Sequence, residues 1–134
     1  MEFELFINFL VFFFSAVLLI VLFLYLYAVV TPYDDYQLIF EDNNIAAALG
    51  FGGAIIGVAI PMYSALENSI SYMDFVIWGL VAIFIQLVFA FIVTRIKGKY
   101  SFNEKISNGV VPVGILMAFL SICIGLINAG SMSY

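Results

Sequence analysis

The 134-residue sequence holds no histidine, one cysteine and four basic residues, and each shortage removes a class of function. Without histidine the chain lacks the side chain that titrates near neutral pH and the commonest metal ligand. The lone Cys123 can form no intrachain disulfide and says nothing about redox compartment. It lies in an apolar run, where it reads as a small packing residue. With four Lys and Arg against nine acids, the net charge of −5 argues against nucleic acid, because neutralising phosphates takes clustered basic side chains. Charged residues amount to 10% of the chain, far below the roughly 25% of soluble domains. The first 49 positions contain no glycine, yet Gly50, Gly52, Gly53 and Gly57 follow within eight residues.

What fills the chain is hydrophobic side chain, 66% of all residues. Four apolar runs, about 6–30, 45–66, 75–94 and 110–129, each approach the ~20 residues needed to cross a bilayer as a helix. Segments such as SAVLLIVLFLYLYAVV are apolar on every side, which excludes the alternating strands of a membrane barrel. The expected fold is an all-α integral membrane protein with four transmembrane helices. The opening MEFELF carries Glu2 and Glu4 where a cleaved leader would carry positive charge, so the first span is expected to remain.

Arg95, Lys97, Lys99 and Lys105 all fall in the 95–109 connection, which the positive-inside rule assigns to the cytoplasm. The 31–44 loop then shares that side, and both termini and the ENSISYMD turn lie outside. Tyr25, Tyr27, Tyr33, Tyr36 and Tyr100 mark one interface and Tyr63, Tyr72, Trp78 and Tyr134 the other, as an aromatic belt does. Within TPYDDYQLIFEDNN, Thr31 is a candidate cap, Pro32 suits a first helical position, and Asp34 and Asp35 complement a helix dipole. A short interfacial helix is expected there. Its acids Asp34, Asp35, Glu41 and Asp42 are candidates for docking the basic loop or a cytoplasmic protein partner. Two independently solvated loops are the plain alternative.

A shift of 64 positions superimposes Tyr36 on Tyr100, Asn44 on Asn108, Gly50 on Gly114, Ala54 on Ala118 and Ala65 on Ala129. We read two parallel two-helix repeats, 1–66 and 67–134, whose axis runs along the membrane normal. Ala46, Gly50, Gly53 and Gly57 make a small-residue stripe on the second span. Gly114, Ala118, Ser121, Gly125 and Ala129 make one on the fourth. Small residues let helix backbones approach in lipid, so these two spans are expected inside, with the first and third toward lipid. Pro61 is expected to kink the second span.

No aspartate, glutamate, lysine, arginine or histidine lies mid-span. A catalytic base, an activated nucleophile and the alternating protonation of proton-coupled carriers all require such groups. The expectation is therefore no enzyme, no cofactor and no metal. Ser15, Gln86, Ser121 and Asn128 are the polar residues within the spans, and Gln86 suits an interhelical hydrogen bond. Ser64 and Asn128 fall at matching positions of the repeat and are candidates for a polar constriction. Glu67 and Asp74, with Glu2 and Glu4, are candidates for an acidic outer vestibule that favours cations, or are solvated boundary acids.

NNIAAALGFGGAIIGVAIP, followed by NSIS and WG and ending in GLINA, resembles the YjfL-like family of small bacterial inner-membrane proteins, a domain-of-unknown-function family of paired two-helix repeats. Ile45 departs from its pattern of a small hydroxyl residue after the asparagines. The resemblance implies a bacterial cytoplasmic membrane and four helices, and no established activity. The leading functional expectation is a homo-oligomeric, channel-like or transport protein for small ions or solutes, with Gly50, Gly53, Gly57, Ser64, Gly114, Ala118, Ser121, Gly125 and Asn128 packing the helices or lining a path. The alternative is a non-conducting membrane scaffold or envelope-stress subunit that docks a partner through the acidic loop. A carrier for a neutral or cationic metabolite is a third reading.

Overall fold

A computed structural model describes residues 1–132; Tyr134, expected as an interfacial anchor, lies outside them. Four long helices dominate: α1 Glu2–Val30, α3 Ile45–Asn68, α4 Tyr72–Thr94 and α6 Val111–Ser131. Two short helices, α2 Asp35–Phe40 and α5 Phe102–Ser107, occupy the longer loops. There is no strand among the described residues. All four long helices are apolar enough to span a membrane.

Side-chain caps set where α3 and α4 begin, while α1 and α6 start without one. Ser71 accepts a hydrogen bond from the Asp74 amide at 3.1 Å, so α4 starts at Tyr72 instead of Phe75. Asn44 accepts from the Ala47 amide at 2.9 Å and starts α3. At 29 residues α1 is about 43 Å long at 1.5 Å per residue, longer than the ~30 Å hydrocarbon core.

α3 is the most enclosed of the four long helices and α1 the least. It packs along its length on α6, and the contacts ascend together in both chains: Ala46 with Gly114, Gly53 with Ala118, Gly57 with Ser121 and Ser64 with Ala129. The two helices are therefore parallel. α1 and α4 are parallel to each other as well, joined by Phe12 against Phe75, Leu19 against Gly79, and a 3.1 Å hydrogen bond from Arg95 to the Val30 carbonyl. α4, expected toward lipid with α1, is instead as enclosed as α6, because Phe75, Gly79, Ala82, Ile83, Gln86 and Ala90 are buried on it.

Candidate functional site

Two polar regions interrupt the apolar bundle. The first lies along the seam of α3 and α6. A methyl group added at Gly114 would lie 2.5 Å from the Ala46 carbonyl oxygen, and one at Gly53 would overlap the Ala118 backbone. At Gly57 it would overlap the Ser121 carbonyl and the Gln86 amide, and at Gly125 the Gly57 carbonyl. Backbone thus touches backbone over several turns, which gains dispersion contacts in a medium where burial alone drives little.

Pro61 sits inside α3 and cannot donate to the carbonyl four residues back, that of Gly57. That oxygen instead faces Gly125, where a Cα–H can approach it. Gly50 is looser, with Met117 Cγ 3.6 Å from where its methyl would stand, and Gly52 meets nothing within 4 Å. The seam explains why glycine is concentrated here, with Gly52 outside that explanation.

Gln86 reaches this seam from α4 and donates from Nε2 to the Ser121 carbonyl at 3.2 Å. Its Oε1, the Ser121 hydroxyl and the Asn128 amide nitrogen are buried and have no hydrogen-bond partner. In hydrocarbon such atoms are costly. Ser64 donates to the Ala129 carbonyl at 3.3 Å, so Ser64 and Asn128 lie near one another at the same end of the seam, on facing helices. The three unpartnered groups are the feature that spacing on the chain did not reveal; only their depth and orientation mark them.

The second polar region lies at the loop end of α1. Thr31, expected to cap the loop helix, terminates α1 instead: its amide bonds the Tyr27 carbonyl at 3.0 Å. The cap of α2 is Asp34, whose Oδ1 accepts from the Gln37 amide at 3.2 Å. The expectation fails because the Thr31 hydroxyl and amide are both turned back to the Tyr27 and Ala28 carbonyls of α1, which leaves the α2 cap to Asp34. Asp35 was expected on the surface for docking, yet it is 1% exposed and takes a hydrogen bond from the Thr31 hydroxyl. The α2 turn folds its first residue under the loop while Asp34, Glu41 and Asp42 stay exposed. Burial, offset in part by that hydrogen bond, raises the Asp35 carboxyl to about 7. Burial and the nearby Asp35 charge push Tyr33 upward, so it stays neutral.

The loops are joined by an amide: Asn44 Nδ2 donates to the Ile106 carbonyl at 2.8 Å. Arg95 lies over the Phe91 ring at 4.4 Å and bonds Thr94 and Val30. At the opposite end Asp74 caps the turn by accepting from the Ile70 amide at 3.1 Å, and Glu67 is exposed. Cys123, expected to pack inside, is exposed on the outer face of α6, because the inner face is taken by Ser121 and Gly125. The described residues hold no cluster of three metal-ligating side chains.

A family model described as Domain of Unknown Function (DUF350) matches residues 1–132. The chain belongs to the DUF350 family. It is 36% identical over 123 residues to the UPF0719 inner membrane protein YjfL of Escherichia coli strain K12, covering 92% of this chain and 91% of that one, and equally to its counterpart in E. coli O157:H7. It is 26% identical over 117 residues to the UPF0719 transmembrane protein YshE of Bacillus subtilis strain 168, with 87% of each chain covered. No solved structure matches. This DUF350 chain is accordingly a polytopic membrane protein of a family whose curated relatives reside in bacterial membranes.

Proposed function

We propose that this DUF350 protein is a non-catalytic, channel-like conduit for small ions or solutes that works as a homo-oligomer and is closed in the conformation described. The observation that carries the reading is the set of unpartnered polar atoms, Gln86 Oε1, Ser121 Oγ and Asn128 Nδ2, buried on α4 and α6. A purely structural seam gains nothing from orphaned polar groups in lipid; a conformation in which α6 moves off α3 would hydrate them. Four helices of this length enclose little space, so a path needs several subunits. By the positive-inside rule the loops 31–44 and 95–109 are cytoplasmic and both ends of the chain external.

The test is ion and solute flux in liposomes holding the purified protein. Gln86→Met is close in volume and Ser121→Ala removes only a hydroxyl, and both leave the backbone contacts between α3 and α6 in place, so loss or altered selectivity of flux in these variants would support a path beside them. Gly57→Leu is unsuitable, since it would wedge the seam apart and abolish activity by any mechanism. A silent wild type across voltages and ionic conditions overturns the reading. The scaffold alternative rests on a separate observation: Phe40, 77% exposed beside Asp34 and Glu41, offers an apolar contact framed by acids on the loop face.

A further inference from the structure

We propose that Thr31, Tyr33 and Asp35, closed over by Tyr27, form a proton-binding site that clamps the acidic loop helix α2 onto the end of α1 when occupied and frees it when empty.

The argument begins with a count of hydrogens. The Thr31 Oγ1 lies 3.2 Å from the Tyr27 carbonyl oxygen, 3.4 Å from that of Ala28 and 3.3 Å from that of Tyr33, and it also meets Asp35 Oδ2. One hydroxyl hydrogen cannot serve four acceptors. A proton on Asp35 Oδ2 resolves the crowding: the carboxylic acid donates to Thr31 Oγ1, and the Thr31 hydrogen turns to a carbonyl. In the ionised state the second carboxylate oxygen, Oδ1, is buried without a hydrogen-bond partner, and the Tyr27 hydroxyl is engaged with that of Tyr33 rather than with the carboxylate. Tyr27 is fully buried and Asp35 is 1% exposed, so bulk solvent does not reach the carboxyl.

Among the described residues no Lys or Arg acts on the Asp35 carboxyl. The groups that act on Asp35 are Thr31, the Asp34 carboxylate and its own backbone, with the Tyr27 and Tyr33 hydroxyls from α1 and the connection. α3 contributes the Phe51 ring, packed on Tyr27 and Tyr36. From α4, Arg95 is engaged with Val30, Thr94 and Phe91 instead. The surroundings therefore favour neutral Asp35 by desolvation, by an adjacent like charge and by an excess of acceptors.

Deprotonation leaves a buried charge that is relieved most simply by unseating the first turn of α2, which carries Asp34, Glu41 and Asp42 on the same short loop. The device is independent of whether the protein conducts.

The experiment is a carbon-13 NMR titration of aspartate-labelled full-length protein in nanodiscs, where the chain has four aspartates. One carboxyl is expected to titrate near 7, far above the ordinary 3.8, and to vanish in Asp35→Asn. Thr31→Val removes the hydroxyl that pairs with both forms of the carboxyl and is expected to displace that midpoint, whereas a midpoint left in place by Thr31→Val overturns the site. Hydrogen exchange over residues 36–42, corrected for the intrinsic pH dependence, should accelerate tenfold or more between pH 6 and pH 9 in the wild type, as a shift of more than one unit requires. All four carboxyls titrating in the usual range, or corrected exchange indifferent to pH, overturns the proposal. Should Asp35→Asn fail to insert, the wild-type and Thr31→Val titrations decide it alone.

Discussion

Gly57 and Gly52 lie five positions apart on α3 and differ in everything that matters for substitution. A methyl at Gly57 collides with the Ser121 carbonyl and the Gln86 amide, whereas one at Gly52 meets nothing. Overpacking costs ~1–3 kcal/mol, while alanine is the better helix former by roughly 1 kcal/mol. Gly57→Ala should therefore lower the unfolding midpoint in detergent, and Gly52→Ala should leave it unchanged or raise it. Equal losses in both would show that glycine is needed along α3 for flexibility rather than for close approach. Asp35 supplies a second residue-scale expectation, and its sign follows from linkage. A carboxyl raised from 3.8 to about 7 on folding binds more protons folded than unfolded, so its contribution is full below about pH 4 and is lost as pH rises through about 7. Asp35→Asn should flatten the pH dependence of thermal stability between pH 5 and 8, and an unaltered slope in the variant would assign that dependence to another group. The glycine stripe could be read from the sequence because small residues at helical spacing in an apolar run have few other uses. Asp35 could not, since DDY in a loop looks solvated until the fold tucks one of the two acids under Tyr27 and Tyr33.

At the scale of elements, the short loop helices bind the long ones together. Asn44 caps α3 through its Oδ1 and, through Nδ2, holds the Ile106 carbonyl at the end of α5. One side chain thereby fixes where α3 begins and where the turn into α6 lies. Loss of a cap costs ~0.5–2 kcal/mol, and loss of the bridge to the Ile106 carbonyl, which keeps its hydrogen bond from the Gly109 amide at 3.0 Å, adds ~0.5–1.5 kcal/mol. Asn44→Ser retains an oxygen for the cap but cannot reach Ile106; Asn44→Ala loses both. Hydrogen exchange should rise at 102–109 in both variants and at 45–48 only in Asn44→Ala. Increases confined to 45–48 in both would mean that the bridge to Ile106 carries no weight. The four spans and their order were legible because length and hydropathy suffice for them. The start of α4 at Tyr72 and of α2 at Asp35 were not, since Thr31 and Asp34 are both capping residue types and only the fold shows that Thr31 bonds the last carbonyls of α1 while Asp34 caps α2.

For the whole molecule, the parallel pairing of α3 with α6 and of α1 with α4 gathers both longer loops at one end and the short 69–71 turn at the other. All four basic residues lie in the loop between α4 and α6, and basic residues near span ends resist translocation. That end should face the cytoplasm, and the assignment decides which compartment's proton Asp35 would read. Two cysteine probes in a Cys123→Ala background test it. Ile70→Cys occupies the short turn, where the side chain is 91% exposed, and Lys99→Cys occupies the exposed basic loop. A membrane-impermeant maleimide added to intact cells should label Ile70→Cys and spare Lys99→Cys until the membrane is opened. The reverse pattern would invert the protein in the bilayer and place the acidic loop, the Phe40 surface and the Asp35 site on the external side. Labelling of both probes in intact cells would point to dual insertion, which four basic residues concentrated on one connection argue against.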